Sequence, residues 1–91
     1  MQIEFDPEKN RTNLEKHGLE LSIANEFEID EALIAREMRF DYGEDRFIAI
    51  GPLRGRIRVL VFTPRGGKLR PISLRNANPK ESEHYERHRP R

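Results

Sequence analysis

The sequence predicts an α+β domain with N-terminal helices, a small antiparallel β-sheet meander and a C-terminal helix. Two observations predict this class. Helix-forming segments lie near both ends of the chain, and most of the strand candidates follow one another between them. The connections between these strands are short and rich in Gly and Pro, which is typical of antiparallel neighbours. We expect the helices to pack on one face of the sheet, and residues 1–91 to form a single domain.

The first helix is predicted from Pro7 to His17 by signals at both of its ends. Asp6 can accept hydrogen bonds from the first free backbone amides, and proline suits the first helical position. Gly18 suits the left-handed conformation that ends a helix. Leu14 is the only large apolar residue between these caps, so core burial alone cannot hold this helix. Its polar face is therefore a candidate for a function.

A second helix is predicted from about Glu20 to Ile29, because Leu21, Ala24 and Phe27 recur there every three residues. This spacing gives the second helix the apolar face that the first one lacks. The connection between the two is short. We therefore expect them to form a helical hairpin.

Runs of β-branched and apolar residues bounded by turn residues predict the strands. These runs are Gln2–Phe5, Ala32–Phe40, Arg46–Ile50, Arg56–Thr63 and Leu69–Leu74. Gly51–Gly55 is predicted to be a loop, and Pro64–Gly67 a hairpin turn. Pro71 interrupts the last strand and removes a backbone donor, so this strand is predicted to be bulged or to lie at an edge of the sheet.

The last helix is predicted to begin near Pro79, with Asn78 as its N-cap. Tyr85 is almost its only apolar residue, so we expect the helix to pack through this side chain. His84 and His88 have the i, i+4 spacing of a helical zinc pair, but the sequence offers no evident third ligand. We therefore expect no metal site. No phosphate loop or dinucleotide motif is present either, so no cofactor is expected.

The charges are distributed unevenly along the chain, although the net charge is only +1 at pH 7. Residues 1–50 hold 6 Lys/Arg and 13 Asp/Glu, which gives −7, whereas residues 51–91 hold 11 Lys/Arg and 3 Asp/Glu, which gives +8. One interpretation is that the two halves neutralise each other in the folded protein. The other is a basic face that attracts nucleic acid, with an acidic half that attracts a basic partner segment.

The composition also indicates where the protein acts. There is no cysteine, which excludes disulfides and thiolate zinc sites. No run of about 18 apolar residues and no signal-peptide pattern is found, so we expect no membrane association. A cytoplasmic protein is the expectation.

Two motifs are fairly specific in combination, one in the first helix and one in the last strand. The helix carries Asp6-Pro7, Lys9-Asn10, Asn13 and Lys16-His17-Gly18, and the strand carries Ile72-Ser73-Leu74-Arg75. Together they resemble the BrnT family, the toxin half of a bacterial toxin–antitoxin pair. The likeness covers nearly the whole chain, with departures at Phe5, Leu74 and Ser82, where the family usually has tryptophan, a small residue and arginine.

The resemblance implies the fold of RelE-like endoribonucleases and a toxin that cleaves RNA without a metal, blocking translation and growth. It also implies a BrnA-like antitoxin, with a ribbon-helix-helix DNA-binding part, that covers the active face of the toxin. Operator DNA would then be bound only through the toxin–antitoxin complex. The alternative is a catalytically inactive toxin-like module that binds antitoxin or nucleic acid. A DNA-binding regulator ranks last, because no basic recognition helix is evident.

Metal-free RNA cleavage needs a group that takes the proton of a 2′-hydroxyl, cations that stabilise the phosphorane and a proton donor for the 5′-oxygen. Lys16 and His17 are the first catalytic candidates, because histidine titrates near neutral pH. Asn10 and Asn13 share a helix face with His17 and are candidate RNA contacts. The alternatives are that His17 interacts with the helix dipole and that both asparagines bond the backbone.

Arginines of the meander form the second catalytic group. Arg46, Arg65 and Arg75 are predicted to line one concave face of the sheet, and the resemblance implies that such arginines stabilise the scissile phosphate. The alternative for each is ordinary surface charge or an ion pair with Glu37 or Glu44. The weaker RNA-contact candidates are Arg56, Arg58 and Arg70.

Two hydroxyl side chains complete the candidate set. Tyr85 is predicted to stack on a base or to assist proton transfer, as a terminal tyrosine does in some RelE-like proteins. The alternative is that Tyr85 anchors the last helix to the sheet. Ser73 is expected to have a structural role, because the sequence supports no Ser-His-Asp arrangement.

Overall fold

The computed structural model describes residues 2–38 and 41–90 as four strands flanked by helices. In chain order the elements are α1 (Pro7–His17), two 3₁₀ helices (Leu21–Glu26 and Ile29–Glu31), β1 (Leu33–Arg36), β2 (Phe47–Leu53), β3 (Arg56–Arg65), β4 (Lys68–Asn76) and α2 (Pro79–His88). The strands form one antiparallel sheet in the order β1-β2-β3-β4. The predicted α+β meander is therefore confirmed. Phe40, the predicted end of the first long strand, lies outside the described residues.

The sheet has two faces of different character. The core face packs against the 3₁₀ helices, and its residues are Phe47, Ala49, Leu53, Leu60, Phe62 and Leu74. By strand alternation the outer face carries Ile48, Ile50, Val59, Val61, Ser73 and Arg75. Gly51 lies on the core face, where an added Cβ would be 3.1 Å from the Cβ of Ala32. A larger residue at this position would push β2 and the segment before β1 slightly apart.

The predicted second helix is replaced by two 3₁₀ turns. Leu21, Ala24 and Phe27 are all buried, so the predicted apolar residues are correct. The α-helix is wrong because Phe27, which ends the first 3₁₀ helix, has an extended backbone with φ −70° and ψ 126°. A three-residue spacing suits 3₁₀ geometry, which has three residues per turn, as well as the α-helix. The predicted helical hairpin is therefore absent from residues 7–31.

Two hairpins are tighter than the sequence predicted. Pro52 lies within β2 rather than in a loop, and the turn is formed by Arg54 and Gly55, with φ 50° and 79°. The next turn consists of Gly66 and Gly67, with φ 57° and 79°. Two positive φ values in a two-residue loop match the twist of antiparallel strands. The pairing of β2 with β1 stops at Ile50. Proline is tolerated at position 52 because no β1 residue pairs with it there.

The fourth strand is an edge strand with a bulge, as Pro71 predicted. The pairing of β3 with β4 shifts between Val61 and Phe62, which face Ser73 and Pro71 and leave Ile72 as the extra residue. The predicted strand Gln2–Phe5 is reduced to one parallel bridge beside β4. There the amide of Glu4 donates to the carbonyl of Leu69 at 3.0 Å, and the amide of Leu69 donates to the carbonyl of Gln2 at 3.0 Å.

The C-terminal helix is on the opposite side of the sheet from the core. Its start is fixed by a capping box, in which the side chain of Asn78 accepts from the amide of Glu81 and the side chain of Glu81 accepts from the amide of Asn78. Tyr85 is buried beside Pro52 and Ile57, both on the outer face. The helices therefore cover both faces, rather than one face as predicted. None of the helices formed by residues 2–38 and 41–90 is long and apolar enough to cross a membrane.

Candidate active site at the edge of the sheet

The first helix is held to the edge of β4 by one side chain. The amide nitrogen of Asn13 donates to the carbonyl oxygens of Leu19 and Leu74, both at 2.8 Å, and its oxygen accepts from the amide of Leu74 at 3.0 Å. Asn13 is 4% exposed, so these contacts are shielded from water. Its side chain thereby replaces the neighbouring strand that β4 lacks.

A second asparagine joins the same helix to the first 3₁₀ turn. The side-chain oxygen of Asn10 accepts a hydrogen bond from the backbone amide of Leu21 at 2.6 Å. That amide is otherwise one of the free donors at the helix start. The structure therefore favours the backbone alternative for both Asn10 and Asn13.

The remaining polar face of α1 borders a groove of about 380 Å³ along β4, which we call the edge groove. Its lining residues are Glu8, Lys9, Thr12, Asn13, Lys16, His17, Ile72 and Ser73. Lys16 and His17 are exposed in the last turn of α1, and Gly18 ends the helix with φ 69° as predicted. The catalytic pair predicted from the sequence thus faces the residue expected to be structural, Ser73.

Ser73 connects the edge groove with the outer face. It pairs with Val61 in the middle of that face, and Arg75 follows two residues later on the same strand. Residues i and i+2 of a strand lie on the same face, about 7 Å apart. Arg75 therefore follows the groove-lining Ser73 on the outer face, and Lys16 and His17 line the same groove.

Arg75 is held by an ion pair with both carboxylate oxygens of Glu81. Its two terminal nitrogens donate to Oε1 at 2.7 Å and to Oε2 at 2.8 Å. The hydrogen bond from Arg75 holds the pKa of Glu81 below its ordinary value, against the opposing effect of burial. The same bond raises the pKa of Arg75. Because Glu81 also caps α2, the position of this guanidinium depends on that helix.

The other two predicted catalytic arginines lie away from the groove. Arg65 is six residues from Val59, the partner of Arg75, which corresponds to about 20 Å along the sheet. Arg46 comes just before β2, level with Thr63, which is about 13 Å along the strands from the level of Arg75, and it is two strands away from Arg75. The three arginines share the outer face by alternation, but they do not meet at one phosphate.

Arg46 has close contacts of its own. Its guanidinium carbon lies 3.8 Å from the centroid of the Tyr42 ring, and its Nε donates to Glu44 at 3.4 Å. The predicted ion pair with Glu44 is therefore present. The stacked ring and the acid hold this arginine at the far end of the outer face.

The three weaker candidates differ in their surroundings. Arg58 is buried, and it donates to the carbonyl oxygen of Leu53 at 2.7 Å and to the side chain of Asn76 at 3.0 Å. Burial lowers the pKa of Arg58, and the nearby charges of Arg56 and Arg54 act in the same direction. Arg58 therefore joins the β2–β3 hairpin to β4. Arg56 is exposed.

Arg70 lies opposite Thr63 and is half-buried, on the outer face between Ser73 and the hairpin end. Its guanidinium has no ion pair with any residue of the described ranges 2–38 and 41–90. Among the weaker candidates it is therefore the best placed to contact an anion near the groove.

Tyr85 has the contacts of an anchor. Its hydroxyl donates to the backbone carbonyl of Glu31 at 2.7 Å, and its ring is 4% exposed. Burial raises the pKa of Tyr85, and the charge of Glu31 acts in the same direction. The structure thus favours the anchor alternative, with Tyr85 fixing α2 against the outer face.

The described part of the chain brings few candidate ligands for a metal ion together. His84 and His88 lie with ring centroids 4.8 Å apart. Within residues 2–38 and 41–90, however, no three His, Cys, Asp or Glu side chains lie close enough together to hold a metal ion.

Four residues near the groove were not among the candidate site residues predicted from the sequence, namely Lys9, Thr12, Ser73 and Glu81. For two of them the sequence did contain a signal. Lys9 precedes Lys16 by seven residues and so lies on the same helix face, and Glu81 follows Asn78 at the capping-box spacing. The position of Ser73 depends on the register of β3 and β4, which no local pattern reveals.

The sequence and the fold of this chain are similar to those of known proteins. Residues 5–81 match the profile of a family described as "Ribonuclease toxin, BrnT, of type II toxin-antitoxin system". Among solved structures, the crystal structure of the Brucella abortus ribonuclease toxin BrnT is similar, with a TM-score of 0.69 and 31% sequence identity. This match covers 86% of the present chain and 97% of the Brucella chain. No curated protein sequence matches the chain significantly.

Proposed function

The chain belongs to the BrnT family of ribonuclease toxins of type II toxin–antitoxin systems, and we propose that it cuts RNA where the edge groove meets the outer face. The observation that carries this proposal is the position of Ser73. It lines the groove together with Lys16 and His17, and it lies two residues from Arg75. In this proposal a proton-transfer group and two cations act on one phosphate.

The proposed reaction is attack by a ribose 2′-oxygen on the adjacent phosphorus, with cleavage of the bond from phosphorus to the 5′-oxygen. The products are a 2′,3′-cyclic phosphate and a 5′-hydroxyl. His17 exchanges the protons, because imidazole is an acid and a base near neutral pH. Lys16 and Arg75 stabilise the negative charge that develops on the phosphorane. In this scheme the side chains supply the chemistry without a metal ion or another cofactor.

The remaining candidates have supporting roles in this proposal. Arg70 and Arg46 both lie level with Thr63, and Arg65 lies further along the outer face. We assign all three to phosphates distant from the cut. Arg56 is exposed at the opposite hairpin and contributes positive potential only. Tyr85 keeps α2 in place, so that Glu81 can hold Arg75.

Membership of a toxin–antitoxin family implies an antitoxin partner. We propose a BrnA-like antitoxin with a ribbon-helix-helix DNA-binding part, which covers the groove and the outer face. Operator DNA is then bound only through the complex. RNA cleavage in the cytoplasm blocks translation and arrests growth. Exposed apolar residues outside the core, Leu14, Ile34 and Met38, are available to such a partner.

The test is incubation of the purified protein with a long RNA in EDTA, with and without excess antitoxin from the adjacent gene. We expect cleavage that persists in EDTA, stops when the antitoxin is added, and leaves 2′,3′-cyclic phosphate ends. Cleavage that is lost in EDTA and restored by Mg²⁺ would contradict the metal-free mechanism. Ends that carry a 3′-hydroxyl would contradict attack by the 2′-oxygen.

One observation favours a second function, that of a catalytically inactive module that binds antitoxin or nucleic acid. The guanidinium of Arg75 is already occupied by both oxygens of Glu81, so an incoming phosphate meets a largely neutralised cation. Intact RNA in the same assay, together with tight antitoxin binding, would support this second function. Cleavage would exclude it.

A further inference from the structure

The edge groove extends beyond the residues assigned to the cleavage reaction. Lys9 lines it two helical turns before Lys16, which is about 10 Å along α1. Both lysines are exposed, and neither forms an ion pair with a residue in the described ranges 2–38 and 41–90. Positive charge is therefore distributed along the whole length of the groove.

The only acid among the residues that line this groove is already neutralised. Glu8 accepts hydrogen bonds from one nitrogen of Arg11, at 3.1 Å to Oε1 and 2.9 Å to Oε2. Arg11 does not line the groove, so the negative charge of Glu8 is offset by a cation that lies outside the groove. An anion inside the groove therefore meets the charges of Lys9 and Lys16 without a competing free carboxylate.

The rest of the lining suits a nucleotide. The hydroxyls of Thr12 and Ser73 lie between the cations, and each can donate a hydrogen bond to a phosphate or ribose oxygen. Ile72 provides an apolar contact there because the bulge in β4 leaves it as an extra residue. A positively charged groove follows the backbone of a single strand, and the hydroxyl donors and the apolar surface add contacts to its sugars and bases.

We propose that the edge groove binds the single-stranded RNA that flanks the cut, with Lys9 and Thr12 contacting phosphates that are not cleaved. This proposal rests on the proposed function, because it takes the cleavage centre at Lys16 and His17 as one end of the groove. The strand runs from that centre toward Lys9 along α1. A single strand is favoured because about 380 Å³ between a helix and a strand edge cannot admit a double helix.

The test measures binding separately from cleavage. The probe is a fluorescent RNA oligonucleotide with 2′-O-methyl groups throughout, which cannot be cut because its 2′-oxygens are blocked. We expect the slope of log affinity against log salt to become shallower by about 0.7 in Lys9→Gln, since each phosphate contact to a single strand contributes about that much. The control is Lys80→Gln, which removes the same charge from an exposed lysine of α2 and should keep the wild-type slope.

A second readout locates the bound strand. The same oligonucleotide should shift the backbone NMR signals of Thr12, Ile72 and Ser73, whereas a duplex DNA of equal length should not. A wild-type slope in Lys9→Gln, unshifted signals at these three residues, or equal shifts with duplex DNA would overturn the proposal. A protein that binds the oligonucleotide in this way but leaves unmodified RNA intact would contradict the proposed function alone.

Discussion

At the scale of single residues, Asn13 explains why a helix with so few apolar residues stays attached. Its amide gives β4 one donor and one acceptor, as a neighbouring strand would, and it also binds the carbonyl of Leu19. The sequence correctly placed Asn13 on the polar face of α1. It gave no indication of Leu74, since that partner is 61 residues away.

Asn13→Ala should lower the free energy of unfolding by about 2–4 kcal/mol, because it leaves buried backbone groups without partners. Urea unfolding followed by circular dichroism measures the loss. Asn25→Ala is the matched control, since Asn25 is exposed and its replacement should change stability by less than about 0.5 kcal/mol. Equal stability of the two variants would contradict the bridging role of Asn13.

The variant Tyr85→Phe tests whether Tyr85 anchors α2 or takes part in catalysis. The variant loses the hydrogen bond to the carbonyl of Glu31 and should lose about 1 kcal/mol of stability. RNA cleavage should stay within about twofold of wild type below the unfolding temperature, because the proposed mechanism needs no hydroxyl at this position. A large loss of cleavage with unchanged stability would restore Tyr85 to the reaction.

At the scale of elements, the sequence predicted where regular structure occurs better than its type. Helix caps at Asp6 and Asn78 fixed α1 and α2 correctly, because capping is a local interaction. The stretch 20–29 was misassigned, since a three-residue apolar period suits two helix types. The turn of the β2–β3 hairpin was predicted too early in the chain, because Gly51 and Pro52 suggested a loop. In the folded protein Gly51 lies within β2, where it packs against Ala32.

Glu81 couples α2 to the candidate site, and Glu81→Gln isolates its charge. Glutamine can still form the capping box, so the variant loses mainly the ion pair to Arg75. We expect a loss of about 1 kcal/mol at pH 7, reduced by the partial exposure of the pair. Glu83→Gln is the control, because its pair with Arg87 is exposed and should contribute close to nothing.

The pH dependence of this loss has a definite sign. The pKa of Glu81 is lowered in the folded protein by Arg75, so its contribution to stability is present above the unfolded value of about 4.3. It is lost as the pH falls through the folded value. The free energies of unfolding of wild type and Glu81→Gln, measured from pH 7 downward, should converge below about pH 4. A gap that persists at lower pH would mean that the charge is not responsible.

At the scale of the whole molecule, the uneven charge distribution is largely preserved on folding. Among the ion pairs in the described part of the chain, one joins the acidic half to the basic half, between Glu26 and Arg54. The others lie within one half. Neutralisation between halves therefore explains little of the asymmetry, which leaves basic surface for nucleic acid.

The candidate site was predictable in its residue types but not in its assembly. Lys16, His17 and Arg75 were recognised from their chemistry and from the family resemblance. Their positions relative to one another depend on the bulge at Ile72 and on the strand register, which are properties of the folded sheet. The same register separates Arg65 from Arg75, although the sequence grouped them together.

The single core predicts that residues 1–91 unfold as one cooperative unit. A radius of gyration of 12.5 Å is close to the value of about 12 Å expected for one domain of this length. Tyrosine fluorescence and far-ultraviolet circular dichroism should give coincident urea transitions. An earlier transition in tyrosine fluorescence would mean that the surroundings of Tyr42 or Tyr85 change before the sheet unfolds.

The most direct test of the central claim compares single-turnover RNA cleavage by His17→Ala, Arg65→Ala and the control His88→Ala. All three side chains are exposed, so each variant should fold. If the site lies at the edge groove, His17→Ala loses about 10²–10⁴-fold in rate, while Arg65→Ala loses far less and His88→Ala keeps the wild-type rate. A wild-type rate in His17→Ala, with cleavage abolished in Arg65→Ala, would instead place the reaction at the hairpin end of the sheet.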